Sequence, residues 1–298
     1  MTSPAPRRRS ARRRNVWLIA AIAAFATMAL AAGMIVGRQL GIHTSAPPGP
    51  GTIVAPVQAP AALAADFAHL QTELHAAAGI AVSAVGNGQA PMALGDLQSG
   101  PAWSTIKVPL IIAALHKENP PRVTDAMAAA ITESDTAAAE SIWATLGDPV
   151  TAANKVDAVL RQAGDPTTVQ SRRVRPEFTA FGQTDWPLID QVRFISSAVC
   201  DSTNAPIFAL MGEVEPDQRW GIGTVGGARF KGGWGPSPTG SYLVRQVGVL
   251  AAPDGMIAVA LAAQPASGKF DDGTAALTEM ANWLTAHLGS LSVGQCGR

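Results

Sequence analysis

The sequence predicts an α/β domain of the sandwich kind, in which an antiparallel β-sheet is flanked by terminal helices and carries an inserted all-α lobe. Apolar residues at helical spacing open and close the domain, at 65–77 and 271–289. Two hairpin patterns lie between these helices, and a mostly helical block at 104–198 separates them. Layers of this kind pack around one core and leave a cleft between lobe and sheet as a natural ligand site.

The individual elements follow from local patterns. "GIAVSAVGNGQAPMALGDL" predicts two short strands around Asn87-Gly88, a pair typical of hairpin turns. "MAAAITESDTAAAESIWATLG" predicts two helices joined by a turn and ending at Gly147. "YLVRQVGVLAAPDGMIAVALAAQ" predicts a second hairpin that turns at Pro253-Asp254-Gly255. The closing helix starts with aspartates and is followed by Gly289, as helix ends favour.

The N-terminus predicts a membrane segment. Residues 16–36 are 21 residues without a charge, which matches the hydrocarbon core of a bilayer. Six arginines precede them within the first fourteen residues and favour a cytoplasmic N-terminus. We therefore expect a cytoplasmic arm at 1–15, a single transmembrane helix or signal anchor at 16–36, and an extracytoplasmic C-terminal domain in the cell membrane. The lipid bilayer is then one partner of the chain.

Alternatives for this segment stay open. Small residues in "ALAAG" permit a cleaved signal peptide, and "RRNVW" loosely fits a twin-arginine export signal. A buried core helix would leave the arginines unexplained. Residues 37–63 are rich in Pro, Ala and Gly, which predicts an extended linker before a domain at 64–298.

Charge and cysteine usage narrow the function classes. The formal net charge is zero, but without the six N-terminal arginines only 16 basic residues face 22 acidic ones. The body is acidic, so we expect no nucleic-acid partner. In an exported protein, Cys200 and Cys296 predict one disulfide, the alternative being two unpaired buried cysteines.

No metal or cofactor is expected. There is no C-x-x-C or H-E-x-x-H spacing, and the five histidines are scattered. Gly221–Gly226, "GIGTVG", matches G-x-G-x-x-G in letters, but a strand and turn pattern follows it instead of a helix. We interpret these glycines as a loop and not as a dinucleotide site.

Ser104 and Lys107 are the first candidates for chemistry. Residues three apart share a helix face, and Pro109 indicates a helix start close to Ser104. A serine hydroxyl needs a neighbouring base, and a lysine can supply it when burial and nearby cations lower its pKa. Free N–H groups at the helix start suit an oxyanion. Alone, S-x-x-K is a weak signal, because two polar residues on a helix face occur often.

Two further motifs strengthen the signal. Ser134-Asp135-Thr136 lies in the helical block, and Lys231-Gly232-Gly233 lies in "ARFKGGWG" before the second hairpin. Together with Ser104 and Lys107, in this order, they resemble the S-x-x-K, S-D-N and K-T-G motifs of the penicillin-recognising serine hydrolases. This superfamily contains the class A β-lactamases and the D,D-peptidases. The resemblance runs from about 64 to 288 and implies the same β-lactamase/transpeptidase-like sandwich, with the site between lobe and sheet.

The resemblance implies a role for each motif residue. Ser104 would be the acylated nucleophile, and Lys107 would take or relay its proton. Ser134 would pass a proton toward the leaving nitrogen, and Lys231 would hold the substrate carboxylate and polarise Ser134. The oxyanion hole would use backbone N–H groups of Ser104 and of Gly233 or Trp234. Acyl transfer needs a nucleophile, a base, an oxyanion hole and an anion clamp, so the set is chemically consistent.

The sequence departs from the family pattern at the positions predicted to bind substrate. Thr136 stands where asparagine or glycine is usual, and Gly232 stands where a threonine or serine hydroxyl is usual. No E-x-x-L-N is present; Glu177 in "VRPEFTAFG" is the nearest candidate for the deacylating base, unless it is a surface-loop carboxylate. Only thirty residues separate Ser104 from Ser134, which implies a trimmed lobe.

The remaining features are ambiguous. Three tryptophans flank motif residues and either line a cleft or pack in the core: Trp103, Trp220 and Trp234. Three arginines form a short cluster that we interpret as a solvated loop and not as an anion site: Arg172, Arg173 and Arg175. The sequence as a whole predicts an exported, membrane-anchored serine hydrolase acylated by β-lactams or by D-Ala-D-Ala-like cell-wall peptides. The alternative is a non-catalytic binding or scaffold domain of the same fold at the cell envelope.

Overall fold

A computed structural model describes residues 53–86 and 88–297. Its helices are α1 (Ala61–Glu73), α2 (Lys107–Leu115), α3 (Asp125–Thr132), α4 (Thr136–Leu146), α5 (Pro149–Gln162), α6 (Leu188–Ala198), α7 (Ala205–Leu210) and α8 (Phe270–Ala286). Its strands are β1 (Ala76–Ala84), β2 (Met92–Gly95), β3 (Arg229–Pro236), β4 (Tyr242–Ala252) and β5 (Gly255–Pro265). Within these described ranges, no helix has the length and apolar character that crossing a membrane requires. The predicted span at 16–36 lies outside them.

The strands form one five-stranded sheet in the order β2-β1-β5-β4-β3. Every neighbouring pair is antiparallel; Ile80 lies opposite Leu261, and Lys231 lies opposite Val247. The second predicted hairpin is confirmed as β4 and β5. The first differs in its connection: β1 ends at Ala84 and β2 begins at Met92, so the link is longer than a two-residue turn. The predicted antiparallel sandwich is confirmed.

Strand alternation gives the sheet two apolar faces. Ile80 and Leu261 point to one face, where they pack with Phe67 of α1 and Leu277 of α8. Ala81 and Ala260, one residue away on each strand, point to the other face and pack with α6 and the helical lobe. The sheet therefore separates the terminal helices from the lobe, as a sandwich requires.

The lobe is built around α2. All nine residues of α2 are buried, which is expected of a helix that is apolar on every side except at Lys107. The surrounding helices start at polar caps: Thr124, Asp135 and Asp148 accept hydrogen bonds from first-turn N–H groups of α3, α4 and α5. The predicted pair of helices ending at Gly147 is confirmed as α3 and α4.

The C-terminal tail is tied back to the domain. Cys200 and Cys296 are disulfide-bonded, with Cα atoms 5.1 Å apart, which confirms the predicted pairing. Gly294 exchanges two backbone hydrogen bonds with Met256, of 2.8 and 3.0 Å. At the other end, Arg193 Nη2 donates to Val54 O at 2.8 Å. Both ends of the described chain thus contact the domain.

Candidate active site

Ser104 lies where the chain enters the buried helix α2. A one-turn 3₁₀ helix, Trp103–Ile106, leads directly into α2, which starts at Lys107. Ser104 is half-buried, whereas Lys107 is buried. Both side chains line one cavity of about 340 Å³, together with Thr136 of α4. The predicted S-x-x-K pair therefore shares a cavity at the start of a helix.

Lys107 is buried and contacts the second motif. Its Nζ donates to Ser134 O at 2.6 Å and lies 3.4 Å from Thr136 Oγ1. Burial lowers the pKa of Lys107 to about 8, against the opposing effect of the Asp135 carboxylate. A lysine with this pKa loses its proton far more readily than an exposed one. Among the contacts of the described residues, none joins Lys107 Nζ to Ser104 Oγ.

Ser134 connects both lysines. It lies in the turn between α3 and α4 with a φ of 60°, in the left-handed region that residues other than glycine rarely adopt. Lys231 Nζ donates to Ser134 Oγ at 2.8 Å and to Gly232 O at 3.0 Å. Lys231 is fully buried, and its pKa is held well below the ordinary value, first by burial and then by the charge of Lys107. The second and third motifs therefore meet at one hydroxyl.

The alternation of β3 decides which of its residues face Ser104. Lys231, Gly233 and Gly235 lie on the lobe-facing side of the strand. A Cβ at Gly233 would lie 2.8 Å from the backbone nitrogen of Ser104, and one at Gly235 would lie 2.5 Å from the Trp103 ring. Both distances are too short for a side chain. Glycine at these positions lets the backbone of β3 approach the N–H of Ser104, as an oxyanion hole needs.

Gly232 points to the opposite side of β3. A Cβ at this position would lie 3.2 Å from the ring of Trp220. Trp220 in turn packs edge-on against Trp234, with ring centroids 5.9 Å apart. The space that a hydroxyl-bearing side chain would need is therefore occupied by an indole, and Gly232 does not line the cavity beside Ser104.

Aromatic residues contribute much of the cavity lining. Trp103, Phe178, Trp234 and Tyr242 all line it. Trp103 and Phe178 pack edge-on at 5.0 Å, and the indole nitrogen of Trp103 is buried without a hydrogen-bond partner among the described residues. Of the three tryptophans noted in the sequence, Trp103 and Trp234 line the cavity, whereas Trp220 packs behind it.

Two glutamates line the cavity, and sequence reasoning identified one of them. Glu177 is exposed and paired with Arg175 at 3.0 Å. Its pKa is lowered, first by its own backbone N–H and also by Arg175, against the opposing effect of desolvation. Glu140 was missed; it is paired with Arg173 at 2.7 Å, and both line the cavity. The available signal was spacing, because Glu140 follows Thr136 by four residues on α4.

Within the described residues, no group of three or more His, Cys, Asp or Glu side chains could hold a metal ion. The region Gly221–Gly226 forms a one-turn 3₁₀ helix at Gly221–Thr224 and then leads into β3. It lacks the following α-helix of a dinucleotide site.

Comparisons with known proteins agree with this geometry at the level of the fold. No protein-family model and no curated protein matches the chain. Among solved structures, it is similar to a class A β-lactamase from Bacteroides cellulosilyticus DSM 14838, with 14% identity, a TM-score of 0.63, and coverage of 77% of this chain and 98% of that one. It is also similar to TLA-1 extended-spectrum β-lactamase, with 15% identity, a TM-score of 0.63, and 76% and 98% coverage. An ancestral class A β-lactamase (GNCA) gives 18% identity, a TM-score of 0.59, and 75% and 99% coverage.

These similarities define the class of structure. The chain has the fold of the class A β-lactamases, which is the fold that the three motifs implied. The identities are low, so the similarity concerns architecture and leaves the activity to be inferred from the site.

Proposed function

We propose that the protein is an exported serine hydrolase acylated at Ser104 by β-lactams or by D-Ala-D-Ala-like cell-wall peptides. The observation that carries this proposal is the meeting of three distant motifs around Ser134: Ser104, Lys107 and Thr136 line one cavity, and Lys231 reaches Ser134 from β3. Lys107 and Lys231 both donate to Ser134, which lies 27 and 97 positions away from them in the chain. Such an arrangement serves proton transfer around a nucleophile, which a plain structural contact does not require.

In the proposed acylation, Lys107 in its neutral form takes the proton of Ser104, directly or through a water molecule. Ser104 Oγ then attacks the carbonyl carbon of the amide, and the developing oxyanion is stabilised by backbone N–H groups of Ser104 and β3. Ser134, polarised by Lys231, donates its proton to the leaving nitrogen and regains one from a lysine. The amide C–N bond breaks, and an ester to Ser104 remains.

The experiment is intact-mass spectrometry of the purified protein with a reporter penicillin, beside a Ser104→Ala variant. We expect an adduct with the mass of the penicillin on the natural protein and none on the variant. An adduct on both proteins would place the reaction elsewhere. No adduct on the folded natural protein would refute acylation by this substrate class.

One observation favours a second candidate, a non-catalytic binding domain of the same fold. The third motif has Gly232 with Trp220 in the space of the usual hydroxyl, so one expected contact to a substrate carboxylate is missing. This candidate predicts saturable, reversible binding of cell-wall peptides that the Ser104→Ala variant retains. Equilibrium binding to that variant, measured beside the mass experiment, separates the two candidates.

We also propose that residues 16–36 anchor the protein in the cell membrane, with the domain on the outer side. The support is the uncharged stretch of 21 residues behind six arginines. Fractionation of cells that produce the full chain should place it with the membranes. Added protease should digest the domain in spheroplasts. Recovery of the full chain in the soluble cytoplasmic fraction would refute the anchor.

A further inference from the structure

The cavity contains two carboxylates that differ in their position relative to the proposed catalytic residues. Glu177 is on the loop between α5 and α6, with its side chain 56% exposed. Glu140 is on α4, with its side chain 34% exposed. A residue that activates water for hydrolysis must lie near the reacting ester and must be held in place. The positions and contacts of the two glutamates therefore show which one is better placed to activate water.

Glu140 is placed by the same helix that contacts Lys107. Residues four apart on a helix are neighbours on one face, with Cβ atoms about 5–6 Å apart. Thr136 Oγ1 lies 3.4 Å from Lys107 Nζ, and Glu140 follows Thr136 by one helical turn. All three residues line the cavity that contains Ser104. Glu140 is thus one helical turn away from the predicted base, on a rigid element.

Arg173 fixes the Glu140 carboxylate and leaves one oxygen available. Its Nη2 donates to Glu140 Oε2 at 2.7 Å, and its Nη1 donates to Pro176 O at 3.3 Å. Among the described residues, Glu140 Oε1 accepts no hydrogen bond. A carboxylate held through one oxygen can accept a proton from water through the other. Arg173 would then be a positioning residue.

Glu177 is less suited to this task. Arg175 binds its Oε1 through Nε at 3.1 Å and through Nη2 at 3.0 Å. The backbone N–H of Glu177, and after it Arg175, lower the pKa of Glu177 against the effect of desolvation, which makes the carboxylate a weaker base. Its greater exposure keeps the carboxylate solvated. Both contacts use Oε1, so one oxygen of Glu177 is also free of hydrogen bonds among the described residues; the two glutamates differ in that Glu177 is on a loop and is more exposed.

Resting on the proposed acylation of Ser104, we propose that Glu140, held by Arg173, is the general base that hydrolyses the acyl-enzyme. Water attacks the carbonyl carbon of the Ser104 ester while Glu140 takes one proton from that water. The bond between this carbon and Ser104 Oγ then breaks. The leaving oxygen takes a proton from Glu140 or Lys107, which restores the serine hydroxyl and releases the substrate as a carboxylic acid. No oxidation or reduction occurs.

The test follows the mass of the acyl-enzyme after excess penicillin is removed. Glu140→Gln should acylate at a rate within about 3-fold of the natural protein and should clear the adduct about 100-fold more slowly or worse. Glu279→Gln, at an exposed position of α8 that does not line the cavity, is the matched control and should clear the adduct at the natural rate. Glu177→Gln tests the competing assignment of the base. Arg173→Ala should also slow clearance with acylation retained, and Arg173→Lys should restore part of it. Circular dichroism melts establish that each variant is folded.

The outcomes are distinguishable. No adduct on the natural protein would overturn both the proposed function and this inference. If the adduct on the natural protein is stable, acylation is supported but the role of Glu140 is overturned. The same conclusion follows if Glu140→Gln clears the adduct as fast as the natural protein does. If only Glu177→Gln clears the adduct slowly, the base is Glu177, and the proposed role of Glu140 is overturned as well. If Glu140→Gln does not fold, normal clearance by folded Arg173→Ala overturns the positioning of Glu140.

Discussion

Gly233 is the residue at which a single methyl group would change the candidate site most. Its Cα faces the backbone nitrogen of Ser104, and a Cβ would lie 2.8 Å from it, with Thr105 N at 2.9 Å. Neither contact is with a flexible side chain, so the backbone itself would have to move. An oxyanion hole depends on N–H groups placed to within a few tenths of an ångström.

Gly233→Ala should therefore lower the rate of acylation by about 100-fold, the magnitude typical of losing one oxyanion donor. Gly226→Ala is the control, because nothing lies within 4 Å of a Cβ there; its rate should stay within 2-fold. The measurement is the second-order rate constant with a reporter penicillin. A normal rate for Gly233→Ala would show that this part of β3 plays no role in acylation.

The proposed role of Lys107 as base predicts that the rate of acylation depends on pH. Only neutral Lys107 can accept a proton, and its pKa is about 8. The acylation rate should therefore rise as pH rises through about 8 and should fall about tenfold per unit below that point. Rates measured from pH 6 to 10 check this. Lys107→Arg keeps the charge but cannot lose its proton, so it should be inactive throughout. A flat profile for the natural protein would refute Lys107 as the base.

The sequence predicted which side chains lie together where these residues are close along the chain. Ser104 and Lys107 are three apart on one helical run, so their shared cavity follows from helix geometry. Glu140 was missed because i,i+4 spacing from Thr136 has meaning only once Thr136 is known to face the cavity. The tryptophans show the same limit: Trp103 and Trp234 line the cavity and Trp220 does not, and nothing in their local sequence distinguishes them.

At the scale of elements, the connection between α5 and α6 depends on a buried carboxyl group. Asp165 has no exposed surface; it accepts hydrogen bonds from Thr167 N at 2.8 Å and from Trp186 Nε1 at 2.7 Å. Burial raises the pKa of Asp165 to about 7, and the nearby Asp190 acts in the same direction. This residue therefore secures the start of the loop that carries Arg173 and Glu177.

The raised pKa of Asp165 determines whether its contribution to the free energy of unfolding grows or falls with pH. The folded state binds the Asp165 proton more tightly than the unfolded state, so this contribution is complete below about pH 4 and is lost as pH rises through about 7. The expected loss is on the order of 4 kcal/mol in the free energy of unfolding. Urea denaturation at pH 4 to 8 should show this loss of unfolding free energy in the natural protein when it is compared with Asp165→Asn. The exposed Asp254→Asn serves as control and should follow the natural protein. Parallel pH profiles for Asp165→Asn and the natural protein would contradict the argument.

Element prediction worked where the periodicity was strong. The hairpin of β4 and β5 and the helix α8 follow from alternating and helical patterns with turn or cap residues at their ends. The first hairpin has its two strands on either side of the Asn-Gly pair, as predicted, but the strand ends were not set by the sequence: β1 ends at Ala84 and β2 starts only at Met92. Strand ends depend on which partner residues continue the ladder, and this information is not local.

At the scale of the whole molecule, one covalent link joins the helical side of the sheet to the C-terminus. The Cys200–Cys296 disulfide closes a separation of 96 residues. Closing a loop of that size lowers the entropy of the unfolded chain, which corresponds to a stabilisation of the folded state by about 4.7 kcal/mol.

The Cys200→Ala/Cys296→Ala double variant should therefore unfold at lower urea concentration, with a free energy of unfolding lower by about 2–5 kcal/mol. The natural protein under reducing conditions should shift in the same direction, which controls for the loss of the sulfur atoms. Unchanged stability of both would show that the tail contributes little to the fold. Acylation of the double variant below its transition should be unchanged, since neither cysteine lines the cavity.

The sequence by itself determined the order of the elements, the sheet flanked by terminal helices with an inserted helical lobe, and the three motifs, and it favoured one disulfide, because each depends on local periodicity, residue type or a short pattern. The tertiary structure alone decided how these motifs meet. Lys231 reaches Ser134 across 97 positions, and Gly232 faces Trp220 instead of the cavity. Both contacts follow from which residues of β3 point toward the lobe and which point to the opposite face of the sheet. Contacts between distant residues depend on how layers pack, and no local pattern carries that information.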